Sequence, residues 1–143
     1  MYKKVLFATD FDEVGVLAAH KAKKIADENG ADLILVHVVE PIPAYAYPGF
    51  AGFAEVELSI REQAEKELDE LADQLGVDAK HRFIEFGSTK NEILRVAAEH
   101  QIDLLVTGSH GKHGLSLLLG STANAILHGA NCDVLIVRPK INH

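Results

Sequence analysis

The residues best placed to do chemistry stand together at Gly108, Ser109, His110, Gly111, Lys112, His113 and Gly114, and again at Gly120, Ser121 and Thr122. Glycine has no Cβ, so it reaches positive φ and lets successive main-chain N–H groups turn toward one anion at close range. Ser121 and Thr122 open a short helical pattern, and the first N–H groups of a helix have no partner inside it. The helix dipole adds about 0.3–1 kcal/mol of attraction for an anion at an exposed site, and each hydrogen bond to a charged group about 1.5–3 kcal/mol. Several such bonds together reach micromolar affinity for a phosphate chain with no cluster of lysines. The bland alternative is that these glycines only build a bend and Ser121 only caps a helix.

Other chemistries fit less well. The glycine spacing is not the P-loop GxxxxGK[ST], and no GxGxxG follows the first apolar run. His110 and His113 stand three apart, but no third ligand has defensible spacing, so the pair reads as solvated or phosphate-facing, with His110 a candidate phosphate neighbour. His37, inside an apolar run, reads as a core histidine with a hydrogen-bond partner. Cys132 precedes a β-rich run with no base beside it, and reads as a small packing residue. Asp10, Asp12, Thr107 and Lys140 are laid out somewhat as in a phospho-receiver domain, but Phe86, Gly87 and Ser88 stand where its acceptor aspartate belongs. No catalytic triad or acid–base pair is legible, so at most a slow hydrolysis of a bound phosphate compound is expected.

The elements that must position these residues alternate in type. Five β-rich runs, at 4–9, 32–39, 81–86, 103–107 and 133–138, are separated by segments of helical period, the signature of βαβ units and a parallel sheet. Val14, Leu17, Ala18, Ala22, Ile25 and Ala26 form the apolar stripe of a first helix, ended by Asn29 and Gly30. A second helix is expected over about 55–75, with Ile60, Ala64, Leu68, Leu71 and Leu75 inward and Gly76 as its stop. Thr89 and Glu92 have capping-box spacing before a third, whose Ile93, Leu94, Ala97 and Ala98 face inward. The last helix is expected over about 121–128. Residues 40–54, rich in proline, glycine and aromatics, read as a long surface loop, either a pinned crossover or a lid over a ligand.

Right-handed crossovers favour the strand order 3-2-1-4-5, with helices on both faces of the sheet in a Rossmann-like α/β architecture. That order reverses between strands 1 and 4, and ligands in such sheets bind outside the carboxyl ends of the strands at the reversal. Thr9, Asp10, Thr107 and Gly108 occupy those ends.

Composition bounds the rest. The chain of 143 residues, 48% hydrophobic, suits one domain spanning 1–143. A net charge of −7 argues against nucleic acid, whose binding rests on many cations displacing counterions. The apolar run at 5–8 is too brief for a signal peptide, no membrane span is legible, and a lone cysteine suits a reducing, cytoplasmic setting.

Gly108, Gly111, Gly120 and Ser121 resemble the GxxGx9G[ST] motif of nucleotide-binding members of the universal stress protein family, with one residue fewer between Gly111 and Gly120. The resemblance extends from Lys3, Lys4, Val5, Leu6 and Asp10 through His37 and Val38 to 134–137. It implies that Ala8 and Thr9 line an adenine pocket and that the main chain of Val38 pairs with the adenine edge. It further implies that Asp10 contacts the adenosine moiety, that Gly108 lies against the ribose, and that Gly111, Gly120, Ser121 and Thr122 hold phosphates. ATP with magnesium or manganese on its phosphates is the implied ligand, in a stress-response or signalling role. A nucleotide-independent scaffold is the alternative. An apolar last strand, 133–138, at the sheet edge is expected to pair two copies into a homodimer, which the family habit also implies.

Overall fold

Short runs of β-branched and aliphatic residues separated by amphipathic helices leave little choice but a sheet covered on both sides. In the computed structural model, which describes residues 1–11, 13–42, 50–109 and 120–138, the order is β1 (Lys4–Ala8), α1 (Glu13–Asn29), β2 (Asp32–Val39), α2 (Phe50–Leu75), a 3-10 turn (Ala79–His81), β3 (Arg82–Phe86), α3 (Thr89–Glu99), β4 (Leu104–Gly108), α4 (Ser121–Gly129) and β5 (Asp133–Val137). The five strands form one sheet in the order β3-β2-β1-β4-β5. Every neighbouring pair is parallel, with Ala8 opposite Val36 and Gly108 opposite Val137 at the carboxyl ends. The order expected from the sequence is thus the order observed.

Side chains alternate between the two faces. Val5, Phe7, Leu33, Leu35, Leu104 and Val106 pack against α1 and α2, while Leu6, Ala8, Ile34, Val36, Val38 and Leu105 pack against α3 and α4. Phe7, Leu6, Leu35 and Leu105 are fully buried at the centre of these layers.

Helix ends follow local chemistry. Gly76, at φ 69°, ends α2 in the left-handed region that glycine reaches without strain, and Val77 N–H closes back on the Ala72 carbonyl at 2.9 Å. Gly30, at φ 64°, ends α1 in the same way, with Ala31 N–H on the Ala26 carbonyl at 2.8 Å. At the amino edge of the sheet, one carboxylate oxygen of Asp103 accepts the N–H groups of Lys3 at 2.7 Å and Lys4 at 2.9 Å, tying β4 to β1. The Tyr2 hydroxyl donates to Asp133 at 2.8 Å on the same edge. The Arg82 guanidinium joins the start of β3 to α2 through Asp69, Asp73 and the Val77 carbonyl.

Some local expectations are corrected. Residues 50–54 belong to α2, which begins at Phe50 rather than near 55, so the connection after β2 is shorter than the loop read over 40–54. Glycine and scattered aromatics mask helical period there. Leu17 is 65% exposed, off the buried stripe of α1, and Val96 rather than Ala98 completes the buried face of α3. The capping-box reading of Thr89 and Glu92 also fails. Ser88 is the N-cap of α3 and makes no side-chain cap bond, Thr89 is already helical, and Glu92 is engaged by Arg95.

Candidate functional site

The chain leaves β1 through a tightly specified turn. Thr9 is buried, and its N–H donates to the Val36 carbonyl at 2.9 Å, continuing the ladder one residue past β1. Its hydroxyl oxygen accepts the Phe11 N–H at 3.0 Å. Phe11 itself sits at φ 68°, a region that a bulky residue rarely adopts, so the surrounding structure holds the turn against local preference. The Thr9 carbonyl is 2.7 Å from His37 Nδ1, and because a carbonyl only accepts, that nitrogen carries the hydrogen. The His37 and Phe11 rings lie 4.3 Å apart, bracing the turn that presents Asp10. The core-histidine reading of His37 is thus half right: it has its partner, but it stands half-buried at the strand end.

The second half of the site follows β4. Ser109 N–H donates to the Val137 carbonyl at 3.1 Å, and Gly120 N–H donates to the Ser109 carbonyl at 2.7 Å. Gly120 is the N-cap of α4, offers no side chain to its first turn, and there is no acid in that turn. The N–H groups of Ser121, Thr122 and Ala123 therefore have no acceptor within the helix. Thr107 is buried under this corner and Gly108 closes β4.

These two halves line one cavity of 860 Å³. Ala8, Thr9, Asp10, Val38, Thr107, Gly108, Gly120, Ser121 and Thr122 all border it, so nine positions singled out in the sequence come together. His110 and Gly111, with the rest of 110–119, lie outside the described residues. Main-chain direction explains how Val38 participates. The Val36 carbonyl bonds toward β1 and the Val39 carbonyl toward Gly87 beyond β3. By alternation the N–H and C=O of Val38 point to the β1 side, past the residue where β1 stops.

Several lining residues were not legible in the sequence. Phe11, Gly15, His37, Glu40, Ser59, Gln63, Glu67, Thr89, Ile93 and Ala123 also border the cavity. Of these, only Ala123, one position after Thr122 in the first turn of α4, carries a sequence signal, since its N–H belongs to the same unpartnered set. Among the described lining residues there is no lysine or arginine, while Asp10, Glu40 and Glu67 are acidic. An anion held here must rely on oriented main-chain donors. Among the described residues no group of three or more histidine, cysteine or acidic side chains is arranged to hold a metal ion, and no helix is long and apolar enough to cross a membrane. Burial, with the nearby Asp133 carboxylate, pushes the Cys132 thiol up from its ordinary value, which suits packing rather than reactivity.

Known proteins share this fold. The model of the universal stress protein family matches residues 1–138. Universal stress protein A homolog 2 of Coxiella burnetii is 43% identical over 141 residues, covering 97% of each chain. The solved structure of MJ0577 from Methanocaldococcus jannaschii superposes with a TM-score of 0.85 at 27% identity over 99% of each chain. A universal stress protein crystallised in complex with cAMP is also 27% identical, with a TM-score of 0.64 over 95% of this chain and 96% of that one. With a family match across nearly the whole length and a relative at this identity, the chain belongs to the universal stress protein family.

Proposed function

We propose that this protein binds an adenine nucleotide, ATP or a close relative, and works as a stress-response signalling module whose bound state alters its contacts. The observation that carries the reading is the meeting, in one cavity, of the unpartnered first-turn N–H groups of α4 with the outward main-chain edge of Val38. The first set suits phosphates, and the second suits the edge of a base. Ala8 and Thr9 flank the base, Asp10 reaches the adenosine moiety, and Gly108 lies against the ribose. Gly120, Ser121 and Thr122 take the phosphates beside Thr107, with His110 and Gly111 from the 110–119 segment as their neighbours. A relative of the same fold crystallised with cAMP, itself an adenine nucleotide, supports this assignment.

Magnesium or manganese fits only as a companion of the phosphates, because the described residues form no metal cage of their own. When bound with the nucleotide it would supply charge neutralisation, and the Ser121 and Thr122 hydroxyls at the start of α4 would be the side-chain oxygens available to it. Any hydrolysis is expected to be slow. The reading places the protein in the cytoplasm.

The same proposal includes a homodimer formed through the last strand, read at 133–138 and observed as Asp133–Val137. Among the described residues β5 is an edge strand, paired only with β4, and has the apolar sequence DVLIV. Purified protein heated to release its ligand should yield an adenine nucleotide on chromatography, and calorimetry with ATP should give a micromolar affinity. Release of nothing together with no heat of ATP binding would overturn nucleotide binding and leave the dimeric scaffold as the function.

A further inference from the structure

We propose that the groove between the carboxyl end of β3 and the first half of α2 is a second binding site, which takes a small anion with an apolar tail and pairs its carboxylate with Arg61. Val39 and Phe86 lie opposite each other where β2 and β3 end, and strand alternation turns both side chains to the α2 face, as it does Leu35 and Ile84. Ala54, Glu57, Leu58 and Arg61 have the spacing that puts them on one face of α2, above that pair. With Pro41 and Ile42 they border a cavity of 400 Å³, within the range of about 300–1,000 Å³ that small-molecule sites occupy. Leu58 is 56% exposed and Phe86 41% exposed, so apolar surface stands open to solvent here. Among the described lining residues, this cavity shares only Val39, Glu40 and Ile60 with the larger one.

Charge decides the class of ligand. Arg61 has Glu57 one turn before it and Glu65 one turn after, the spacing at which helices form ion pairs. It pairs with neither. Among the described residues its one contact of this kind is with the Phe86 ring, whose centroid lies 4.4 Å from Cζ. The guanidinium is thus held beside the apolar floor with no protein oxygen accepting its N–H groups, and a carboxylate matches that planar fork of donors. Neither acid on the rim takes this place. The Glu40 carboxylate accepts the Thr89 hydroxyl at 2.8 Å at the start of α3, and Glu57 is exposed, where solvent and salt screen its charge. Val39, Leu58 and Phe86 supply the surface for the tail.

Decanoate, octanoate and decanol titrated into the full chain without nucleotide, and followed by amide NMR, provide the test. Decanoate should saturate one site, with shifts gathered at 39–42, 54–61 and Phe86. Octanoate should bind about tenfold more weakly, since each buried methylene accounts for up to about fourfold. Decanol, which has the tail without the charge, should also lose about tenfold. Arg61→Gln should weaken decanoate by about tenfold and leave decanol unchanged, whereas Leu58→Gln should weaken both. Both side chains are exposed on α2, so the variants should melt with wild type. Decanoate that fails to saturate, octanoate that binds as tightly, or Arg61→Gln that holds decanoate as well as wild type would overturn the site. Shifts at Thr9, Gly108 and Ser121 instead would move the anion to the larger cavity and overturn it equally, with the nucleotide reading untouched.

Discussion

Gly120 N–H and the Ser109 carbonyl, 2.7 Å apart, close the chain on itself at the corner between β4 and α4. Residues 109 and 120 are thus tied directly to each other, so the start of α4 is held by that bond rather than by the length of the segment between them. The motif is one residue shorter here than the family pattern it resembles. Inserting one glycine after Gly114 should change the loop-closure entropy by only about 0.1 kcal/mol. The melting temperature should stay within about 1 °C, and ATP affinity should hold. A tenfold change in affinity would show that the spacing itself shapes the site.

A charge placed at the first turn of α4 should act on stability and binding in opposite directions. Ser121 begins a helix whose N-cap provides no side chain and whose first turn holds no acid. Ser121→Asp should therefore stabilise the helix by about 0.3–1 kcal/mol. The same carboxylate would face the phosphates and should weaken ATP binding by about tenfold or more. Denaturant midpoints and calorimetry on one preparation separate the two effects, and unchanged affinity would take the α4 N-terminus out of the site.

Proline at one edge position tests the dimer. Val137 O and Asp133 N both bond toward β4, so the main-chain groups of Val134 and Ile136 point outward. Ile136→Pro removes an outward N–H without breaking the β4–β5 ladder. Sedimentation should show a wild-type dimer at micromolar concentration and a folded monomer for the variant. A wild-type monomer would end the edge-pairing proposal.

Stability should fall in acid partly through Asp103. The main-chain N–H of Lys3, then that of Lys4, hold its carboxyl below the ordinary value of 3.8. A folded-state value below the unfolded one contributes stability that is fully present above the unfolded value and lost as the pH falls through the folded one. The stability difference between wild type and Asp103→Asn, read from urea midpoints, should be steady above about pH 5 and shrink below about pH 4. A difference independent of pH would mean that the charge contributes nothing.

Strand order and the place of the glycine corner at the cavity were legible because they rest on local chemistry and on rules of chain connection. Apolar runs such as 134–137 read directly as strands, and right-handed crossovers then placed Thr9, Asp10, Thr107 and Gly108 at the reversal. The start of α2 was not legible, because Gly52 and the aromatics around it carry turn-like composition inside a helix whose stability comes from the packing of its later turns. Thr89 was misread for a related reason, since capping-box spacing describes what a segment can do alone and Glu40 arrives from 49 residues away.

From its amino acids alone this protein was set as an alternating α/β chain with glycine bends at a switch point, since periodicity and backbone freedom are properties of neighbours in sequence. Tertiary structure alone decided that His37 and Phe11 brace the turn at Asp10, that α2 supplies Ser59, Gln63 and Glu67 to the cavity wall, and that Glu40 sits over α3. Those relationships depend on which strands lie side by side and in what register, and only the assembled sheet sets the distances between residues so far apart in the chain.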